Sequence, residues 1–351
     1  MAAKTYLTRK LGANGPAVSA IGFGAMGVGT YYGQTDSEEV FKTLTYAADR
    51  GVTFWDTSDV YGSSEETIGK WFSTTGRRSE VFLATKFGSV DINLVAKQIY
   101  KQNSKPAYIR QQLEASLKKL QTEWVDLYYQ HRVDPEVPIE VVMETLGELV
   151  KSGKIKYIGL SECSIDVLRR AKAVPFAGEK LVACQMEFSP FEVGIEKSGF
   201  VAAARELGVA VVAYSPLGRG MITGRFKSRA EFEPADIRQM MPRFADENFP
   251  KNLGVVDEFR AIASKYSVTP GQIALAWILA EHPDFVPIPG TRTVERLEEN
   301  AKAAEITLSL EDVKALRTAV EAADVQGERF PAQFASLMHA ECISLDEWKG
   351  E

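Results

Sequence analysis

Four polar side chains follow apolar runs of the sequence and could together carry out acid catalysis. Asp56 ends the run FWD, Tyr61 comes five residues later, Lys86 ends FLATK and His131 ends LYYQH. A free tyrosine has a pKa of about 10, and a nearby ammonium lowers this pKa because it stabilises the tyrosinate. We therefore expect Tyr61 to protonate a carbonyl oxygen while hydride reaches the carbon. Lys86 and Asp56 would tune the tyrosine, and His131 would donate to the oxygen.

This chemistry implies a nicotinamide cofactor, because protein side chains cannot supply hydride. The stretch GFGAMG matches the glycine pattern of dinucleotide-binding turns, but no helical start follows until about Asp36. We interpret these glycines as a turn at the end of a strand. A better phosphate site is PGTRTVERLEEN, which brings Thr291, Arg292 and Arg296 to the start of a helix. Two guanidinium groups suit the 2′-phosphate of NADPH.

The catalytic candidates belong to a chain in which short apolar runs alternate with segments of helical periodicity. A strand followed each time by a helix implies a parallel sheet. The predicted strands are VSAIGFGA, VTFWDT, EVFLATK, VDLYYQH, IKYIGLS, LVACQMEF, VAVVAYSP and DFVPIPG. The predicted helices include 106–120, 138–152, 164–173, 196–207 and 293–304.

Eight strands and no break in composition favour a (β/α)8 TIM barrel over a sheet wound on both faces. The prediction is a single domain over 1–351, with the barrel at about 17–304. The opening stretch TYLTRKLGANGPAVS has period-two character and predicts a β-hairpin that plugs the barrel floor. Long loops are predicted after the third and seventh strands, at 88–105 and 217–253. Residues 305–351 are predicted to form a C-terminal helix and tail.

The carboxyl ends of barrel strands meet at one face, and this face carries the active sites of such folds. Polar residues at nearly every strand end are hard to explain by stability alone, since an apolar run needs no charge to stop it. Beyond the four catalytic candidates, the strand ends carry Ser161, Glu162, Gln185, Tyr214, Ser215 and Gly290. We expect all of these side chains to surround one mouth.

Composition excludes several other classes of protein. The 351 residues include 45% hydrophobic residues and carry a net charge of −6, which gives no indication of nucleic-acid or membrane binding. The N-terminal segment lacks the apolar stretch of a secretory signal, and no apolar run reaches the length of a membrane span. The three cysteines are too scattered to predict a disulfide framework or a metal site. We expect a cytoplasmic protein without metal that acts on a small carbonyl compound.

Several motifs together resemble the aldo-keto reductase superfamily, and the resemblance covers almost the whole chain. They occur in the order FWDTSDVYG, ATKFG, LYYQHRVDP, YIGLSE, CQMEFSP, AYSPLGRG and IPGTR followed by ENA. The pattern is similar to that of the subgroup of pyridoxal reductase-like or auxin-induced reductases. The resemblance implies a (β/α)8 barrel that binds NADPH extended across its mouth, without a Rossmann domain, and an enzyme that reduces an aldehyde or ketone to the alcohol.

The resemblance also implies a role for each matching residue. Tyr61 would be the proton donor, Lys86 and Asp56 would tune it, and His131 would orient the carbonyl. Ser161 and Gln185 would bind the carboxamide, and Tyr214 would stack on the nicotinamide. Ser215, Leu217 and Arg219 would lie along the pyrophosphate, Arg292 and Arg296 at the 2′-phosphate, and Glu299 and Asn300 at the adenine. Further cofactor contacts are expected at Gly24, Met26, Asp56, Glu162, Pro216, Lys227, Arg243, Gly290 and Thr291.

Two positions depart from the pattern of many relatives, and two other functions share the fold. Many relatives have asparagine where Glu162 stands and glutamine where Arg296 stands. Voltage-gated potassium channel β subunits look similar and are regulatory, but they carry asparagine where this chain has His131. A cofactor-free lyase or isomerase would leave the Arg292 region unexplained. The sequence therefore favours a reductase.

Overall fold

The structure is a computed structural model that describes residues 6–29, 36–91, 94, 100–234, 236–338 and 340–351. Its first elements are the antiparallel strands β1 (Thr8–Lys10) and β2 (Ala17–Ser19). Leu11 packs with residues of the barrel interior. The Ala13 N–H donates to the carbonyl of Gly208, which precedes a barrel strand. The predicted hairpin therefore closes the end of the barrel at which the strands begin.

A parallel sheet of eight strands forms the centre of the described part of the chain, in the order of the sequence. Backbone pairing between Gly24 and Gly290 joins the first barrel strand to the segment after the last one, so the sheet closes. The predicted TIM-barrel fold is thus confirmed. The barrel strands are β3 (Phe23–Gly24), β4 (Phe54–Asp56), β5 (Phe82–Phe87), β6 (Val125–Gln130), β7 (Ile155–Ser161), β8 (Leu181–Glu187), β9 (Ala210–Tyr214) and β10 (Phe285–Pro287).

Helices follow the strands and cover the outside of the barrel. Those of the first half are α1 (Ser37–Arg50), α2 (Ser64–Thr75), α3 (Pro106–Leu120), α4 (Ile139–Lys151), α5 (Ile165–Ala173) and α6 (Ala177–Lys180). Those of the second half are α7 (Gly194–Lys197), α8 (Phe200–Glu206), α9 (Phe249–Asn252), α10 (Gly254–Tyr266), α11 (Pro270–Glu281), α12 (Val294–Lys302) and α13 (Leu310–Ala322).

Local sequence explains where several helices begin and end. Asp36 caps α1 by accepting from two backbone N–H groups, and Gly51 ends α1 in the left-handed conformation that glycine adopts without strain. α1 therefore begins directly after Asp36, as expected, and the glycine-rich segment after β3 includes a 3-10 turn at Met26–Gly29. Thr269 and Gln272 form a capping box around Pro270 at the start of α11.

Three segments differ from simple sequence patterns. The helix predicted at 196–207 is two short helices, α7 and α8, separated by Gly199, whose φ is 81°. The long loop predicted at 217–253 contains a series of 3-10 turns. In the other long loop, 88–105, residues 92–93 and 95–99 lie outside the described residues.

The predicted C-terminal helix is α13. None of the helices in the described ranges has the length and apolarity that a membrane span requires.

Candidate active site

The parallel strands bring the predicted catalytic side chains to one end of the barrel. Asp56 is the last residue of β4, and Lys86 lies one residue before the end of β5. His131 directly follows β6, and its backbone N–H donates to the carbonyl of Phe87 at the end of β5. Because these strands are neighbours in register, side chains 30 and more residues apart in sequence meet at the carboxyl end of the barrel.

Lys86 is fully buried and joins Asp56 to Tyr61. Its Nζ donates to Asp56 Oδ1 at 2.5 Å, to the Thr57 carbonyl at 2.7 Å and to Tyr61 Oη at 3.4 Å. An ammonium has three N–H donors, and these acceptors use all three. The tyrosine oxygen accepts from this ammonium, so the positive charge lies where it would stabilise a tyrosinate.

Burial and charge oppose each other in this ion pair. Burial raises the pKa of Asp56, while Lys86 and the amide of Gln185 act to lower it. Burial likewise lowers the pKa of Lys86, while Asp56 and the more distant Asp59 act to raise it. An ammonium whose pKa is lowered gives up its proton more readily, so Lys86 is suited to exchange a proton with the adjacent tyrosine.

His131 lies beside Tyr61 and is held through one ring nitrogen. The two rings meet edge to face, with centroids 5.8 Å apart. The Nδ1 atom of His131 lies 3.1 Å from Ser58 Oγ. Burial, with Lys86 and Arg132 nearby, lowers the pKa of His131 well below its usual value, so the imidazole is neutral at physiological pH. A neutral imidazole carries its proton on one ring nitrogen and accepts at the other.

Gln185 is hydrogen-bonded to the carboxylate of Asp56 and therefore belongs to the catalytic group. Its Nε2 donates to Asp56 Oδ2 at 2.7 Å, and its backbone carbonyl accepts from the hydroxyl of Ser161 at 3.0 Å. Both oxygens of Asp56 are therefore hydrogen-bonded, which compensates for burying the carboxylate.

A cavity of about 470 Å³ opens beside this group. Asp56, Tyr61 and Gln185 line it, and so do residues at the start of α12. Most of the residues predicted to contact a cofactor line the cavity: Gly24, Met26, Asp56, Gln185, Tyr214, Ser215, Pro216, Leu217, Arg219, Gly290, Thr291, Arg292, Arg296, Glu299 and Asn300. An elongated ligand could reach from the tyrosine to the arginines.

The other predicted contacts do not line this cavity in the described part of the chain. Ser161 is buried behind Gln185, as described above. Glu162 accepts from Arg329 at 2.8 Å, and Arg243 donates to Glu192 at 2.7 Å, so both are held in ion pairs. Lys227 is exposed in the segment after β9. The sequence alone could not reveal the ion-pair partners of Glu162 and Arg243, because each partner is distant in sequence or lies in an irregular loop.

The loop after β9 has an unusual backbone where it borders the cavity. Gly218, Arg219 and Gly220 all have positive φ, from 53° to 90°. The N–H groups of Gly218 and Gly220 donate to the carbonyls of Ser215 and Leu217, so these bonds hold the loop in its tight turn. Glycine adopts this conformation freely, whereas Arg219 does so at some cost in strain.

The start of α12 brings two arginines, Arg292 and Arg296, to the cavity wall. Arg292 lies just before the helix, and Thr293 caps it by accepting from the backbone N–H of Arg296 at 3.3 Å. The Arg296 guanidinium is 46% exposed and pairs with Glu299 at 2.7 Å. An anion at this helix start would gain the helix dipole and the two arginines, but it would compete with Glu299 for Arg296.

Sequence reasoning did not identify two further parts of the mouth. Arg238 packs against the rings of Phe226 and Phe232, at 4.6 and 4.2 Å from their centroids, and all three line the cavity. In the C-terminal tail, Arg329 donates to Glu187 and to the hydroxyl of Tyr214, each at 2.9 Å. The only sequence signal was the presence of aromatic and basic residues in segments predicted to be loops.

One acidic cluster resembles a metal site by composition but is occupied by an arginine. Glu196, Glu281 and His282 offer ligand atoms within 4.8 Å of one another. The guanidinium of Arg317 pairs with both carboxylates, and none of these residues lines the cavity described above. The cluster is therefore explained as an ion-pair network.

Known proteins of similar sequence and structure identify the family. The model of the aldo/keto reductase family matches residues 20–321. The chain is 47% identical over 339 residues to aldo-keto reductase str7 of Strobilurus tenacellus, covering 94% of this chain and 97% of that protein. It is also 47% identical over 328 residues to aldo-keto reductase yakc of Schizosaccharomyces pombe, whose name carries NADP(+), covering 92% and 94%.

Solved structures agree with these relatives. The thermostable aldo-keto reductase Tm1743, in complex with the inhibitor epalrestat, has a TM-score of 0.69 and 30% identity, covering 89% of this chain and 99% of that one. The glycerol dehydrogenase AKR11B4 of Gluconobacter oxydans has a TM-score of 0.78 and 27% identity, covering 93% and 98%. The protein with Tyr61 and Lys86 at its barrel mouth thus belongs to the aldo/keto reductase family of oxidoreductases.

Proposed function

We propose that this protein reduces an aldehyde or ketone to the alcohol with NADPH, and that Tyr61 is the general acid. The observation that carries the proposal is the position of Tyr61. Its hydroxyl accepts from the buried Lys86, and the residue lines the cavity in which a carbonyl would bind. Family membership supports carbonyl reduction in general.

The residues of the cavity fit a nicotinamide dinucleotide phosphate. Polar side chains from distant parts of the chain line it: Asp56 and Gln185 of the catalytic group, and Arg292 just before α12 with Asn300 within it. Arg219, in the loop after β9, also lines the cavity and would provide a cation for a pyrophosphate. The name of the Schizosaccharomyces pombe relative also carries NADP(+), which supports the same choice.

The reaction divides between hydride and proton transfer. When bound, the reduced dinucleotide would supply the hydride, losing a C–H bond of its nicotinamide ring as the new C–H bond forms at the carbonyl carbon. As the π electrons move to oxygen, the O–H proton of Tyr61 transfers to that oxygen and completes the alcohol. Lys86 stabilises the tyrosinate that remains and returns a proton to it. Solvent then supplies the proton that Lys86 has lost. His131 orients the carbonyl through Nε2.

The direct test is a panel of aldehydes and ketones assayed by NADPH consumption and product analysis. We expect turnover with at least one class of carbonyl compound in the panel. Binding of NADPH without consumption by any carbonyl would instead support a regulatory protein of the channel-subunit kind.

His131→Asn should separate binding from turnover. Asparagine is smaller and cannot present an imidazole nitrogen to the carbonyl, so we expect a loss of about 10²-fold or more in kcat/KM for simple aldehydes. Nucleotide affinity should stay near that of the wild type, because His131 does not line the described dinucleotide cavity. Steady-state kinetics and nucleotide titration measure the two effects. An unimpaired variant would remove His131 from the mechanism.

Arg292→Ala should narrow the preference for NADPH over NADH. The two nucleotides differ by the 2′-phosphate, and hydrogen bonds to charged groups are worth roughly 1.5–3 kcal/mol each. Loss of one such contact should weaken NADPH binding by about tenfold to a hundredfold and leave NADH binding nearly unchanged. Arg296→Ala should have a smaller effect, since Glu299 already pairs with that guanidinium.

Fluorescence quenching by each nucleotide measures these affinities. Arg169→Ala is a matched control, because Arg169 is an exposed arginine paired with Glu206 far along the chain from α12. Equal wild-type affinity for the two nucleotides, or an unchanged NADPH affinity in Arg292→Ala, would contradict the assignment of the 2′-phosphate site.

A further inference from the structure

A fully buried serine links His131 to a second aspartate that the proposed mechanism does not use. Ser58 Oγ donates to Asp59 Oδ1 at 2.9 Å and lies 3.1 Å from His131 Nδ1. Asp59 is buried, and its Oδ2 atom has no hydrogen-bond partner in the described part of the chain. A buried carboxylate with an unsatisfied oxygen is costly, so the arrangement calls for an explanation.

The single hydroxyl proton of Ser58 makes this link directional. When Asp59 is ionised it can only accept, so Ser58 donates to it and must accept from His131. The imidazole then carries its proton on Nδ1, and Nε2 is a bare acceptor. When Asp59 is protonated it can donate to Ser58, which then donates to Nδ1. The imidazole proton in that state sits on Nε2.

We propose that Ser58 and Asp59 are positioning residues that select the tautomer of His131 according to the charge on Asp59. With Asp59 protonated, Nε2–H donates to a carbonyl oxygen, which favours reduction. With Asp59 ionised, the bare Nε2 accepts from an alcohol O–H, which favours oxidation. The catalytic consequence rests on the proposed function, whereas the tautomer itself does not.

The surroundings of Asp59 place its change of charge near neutral pH. Burial and the neighbouring carboxylate of Glu65 raise the pKa of Asp59 to about 7, while Ser58, Lys119 and the backbone of Val60 act to lower it. Glu65 is itself buried, accepts from Thr85 at 2.6 Å and lies 3.8 Å from Lys119.

Two other charged groups face this link from neighbouring strands. Lys86 on β5 interacts electrostatically with Asp59, and Tyr128 on β6 has its pKa raised further by the charge on Asp59. On the other side of Ser58, Lys86 and Arg132 help to hold His131 neutral. The imidazole therefore changes tautomer without gaining charge when Asp59 titrates.

Nitrogen NMR of the nucleotide-free protein tests the tautomer directly. The chain has three histidines, so long-range ¹H–¹⁵N correlation spectra of histidine-labelled protein are simple to assign with a His131→Asn reference. Between about pH 5.5 and about pH 8.5, a range that brackets the value for Asp59, the proton should move from Nε2 to Nδ1. A His131 tautomer that stays the same across this range would overturn the proposal.

Variants identify the group whose titration changes the tautomer of His131. Asparagine cannot change its charge, and alanine breaks the link, so Asp59→Asn and Ser58→Ala should each abolish the pH-dependent tautomer change. Glu65→Gln is the matched control: it removes the neighbouring negative charge, so the change should persist with its midpoint at lower pH. Retention of the wild-type transition in Asp59→Asn or Ser58→Ala, or its loss in Glu65→Gln, would contradict the assignment to Asp59.

Kinetics then test the consequence. Wild-type kcat/KM for reduction should fall above the midpoint of the NMR transition, approaching tenfold for each pH unit, and this limb should be absent in Asp59→Asn. The same fall of kcat/KM with pH in Asp59→Asn would refute the role of Asp59 in catalysis. If the NMR transition is present but no carbonyl is reduced at any pH, the proposed function fails while the tautomer link stands.

Discussion

Tyr61→Phe is expected to reduce carbonyl turnover by about 10²–10⁴-fold, the usual contribution of a positioned general acid. The hydroxyl that borders the cavity and accepts from Lys86 would be gone, while the ring and its edge-to-face contact with His131 would remain. NADPH affinity should stay within about twofold of the wild type, because the arginines at α12 are untouched. Steady-state kinetics and fluorescence titration measure the two quantities separately.

Tyr266→Phe provides the control for loss of a tyrosine hydroxyl. Tyr266 donates to Asp312 at 2.8 Å at the end of α10, and it does not line the cavity. Its replacement should cost about 1 kcal/mol of unfolding free energy and leave turnover unchanged. Substantial residual turnover in Tyr61→Phe would exclude Tyr61 as the acid.

Lys86→Met is expected to abolish turnover and also to destabilise the protein. Removing the ammonium leaves the carboxylate of Asp56 buried without its charge partner, and breaking a buried pair costs about 3–5 kcal/mol. Asp56→Asn should reduce turnover less, because the ammonium next to Tyr61 remains. Denaturant unfolding measures the stability of each variant, and carbonyl assays measure turnover.

The double variant Lys86→Met with Asp56→Asn separates catalysis from stability. Replacing both members of a buried pair with neutral groups is often close to neutral for stability, so much of the unfolding free energy lost in Lys86→Met should return. Turnover should not return, because no cation is left to stabilise the tyrosinate. Recovery of turnover together with stability would mean that Lys86 acts through folding alone.

Sequence reasoning predicted the fold because local pattern determines it. Most barrel strands are apolar runs that end at or next to a polar residue, and parallel pairing then brings Asp56 and Lys86 to one face without further information. The basic start of α12 was equally visible, since Arg292 and Arg296 lie next to a clear helix start. These features depend on neighbours in sequence or on the regular geometry of the barrel.

Other parts of the site depend on packing that the sequence does not encode locally. The amide of Gln185 meets Asp56 across 129 residues, and Arg329 reaches Glu162 across 167. The segment after β9 has no periodic pattern, so the position of Arg238 against two aromatic rings could not be predicted. The link from Asp59 to His131 was hidden for a different reason, because a serine and an aspartate in a turn are usually read as local capping groups.

The most direct test of the account follows the hydride itself. NADPH carrying deuterium at both C4 positions is incubated with the protein and a carbonyl compound that it turns over, and the alcohol is analysed by mass spectrometry and NMR. We predict one deuterium on the carbinol carbon for each NADPH consumed, with no such product formed at a comparable rate by Tyr61→Phe. Alcohol without deuterium at that carbon, or NADPH left unconsumed with every aldehyde and ketone offered, would contradict the account.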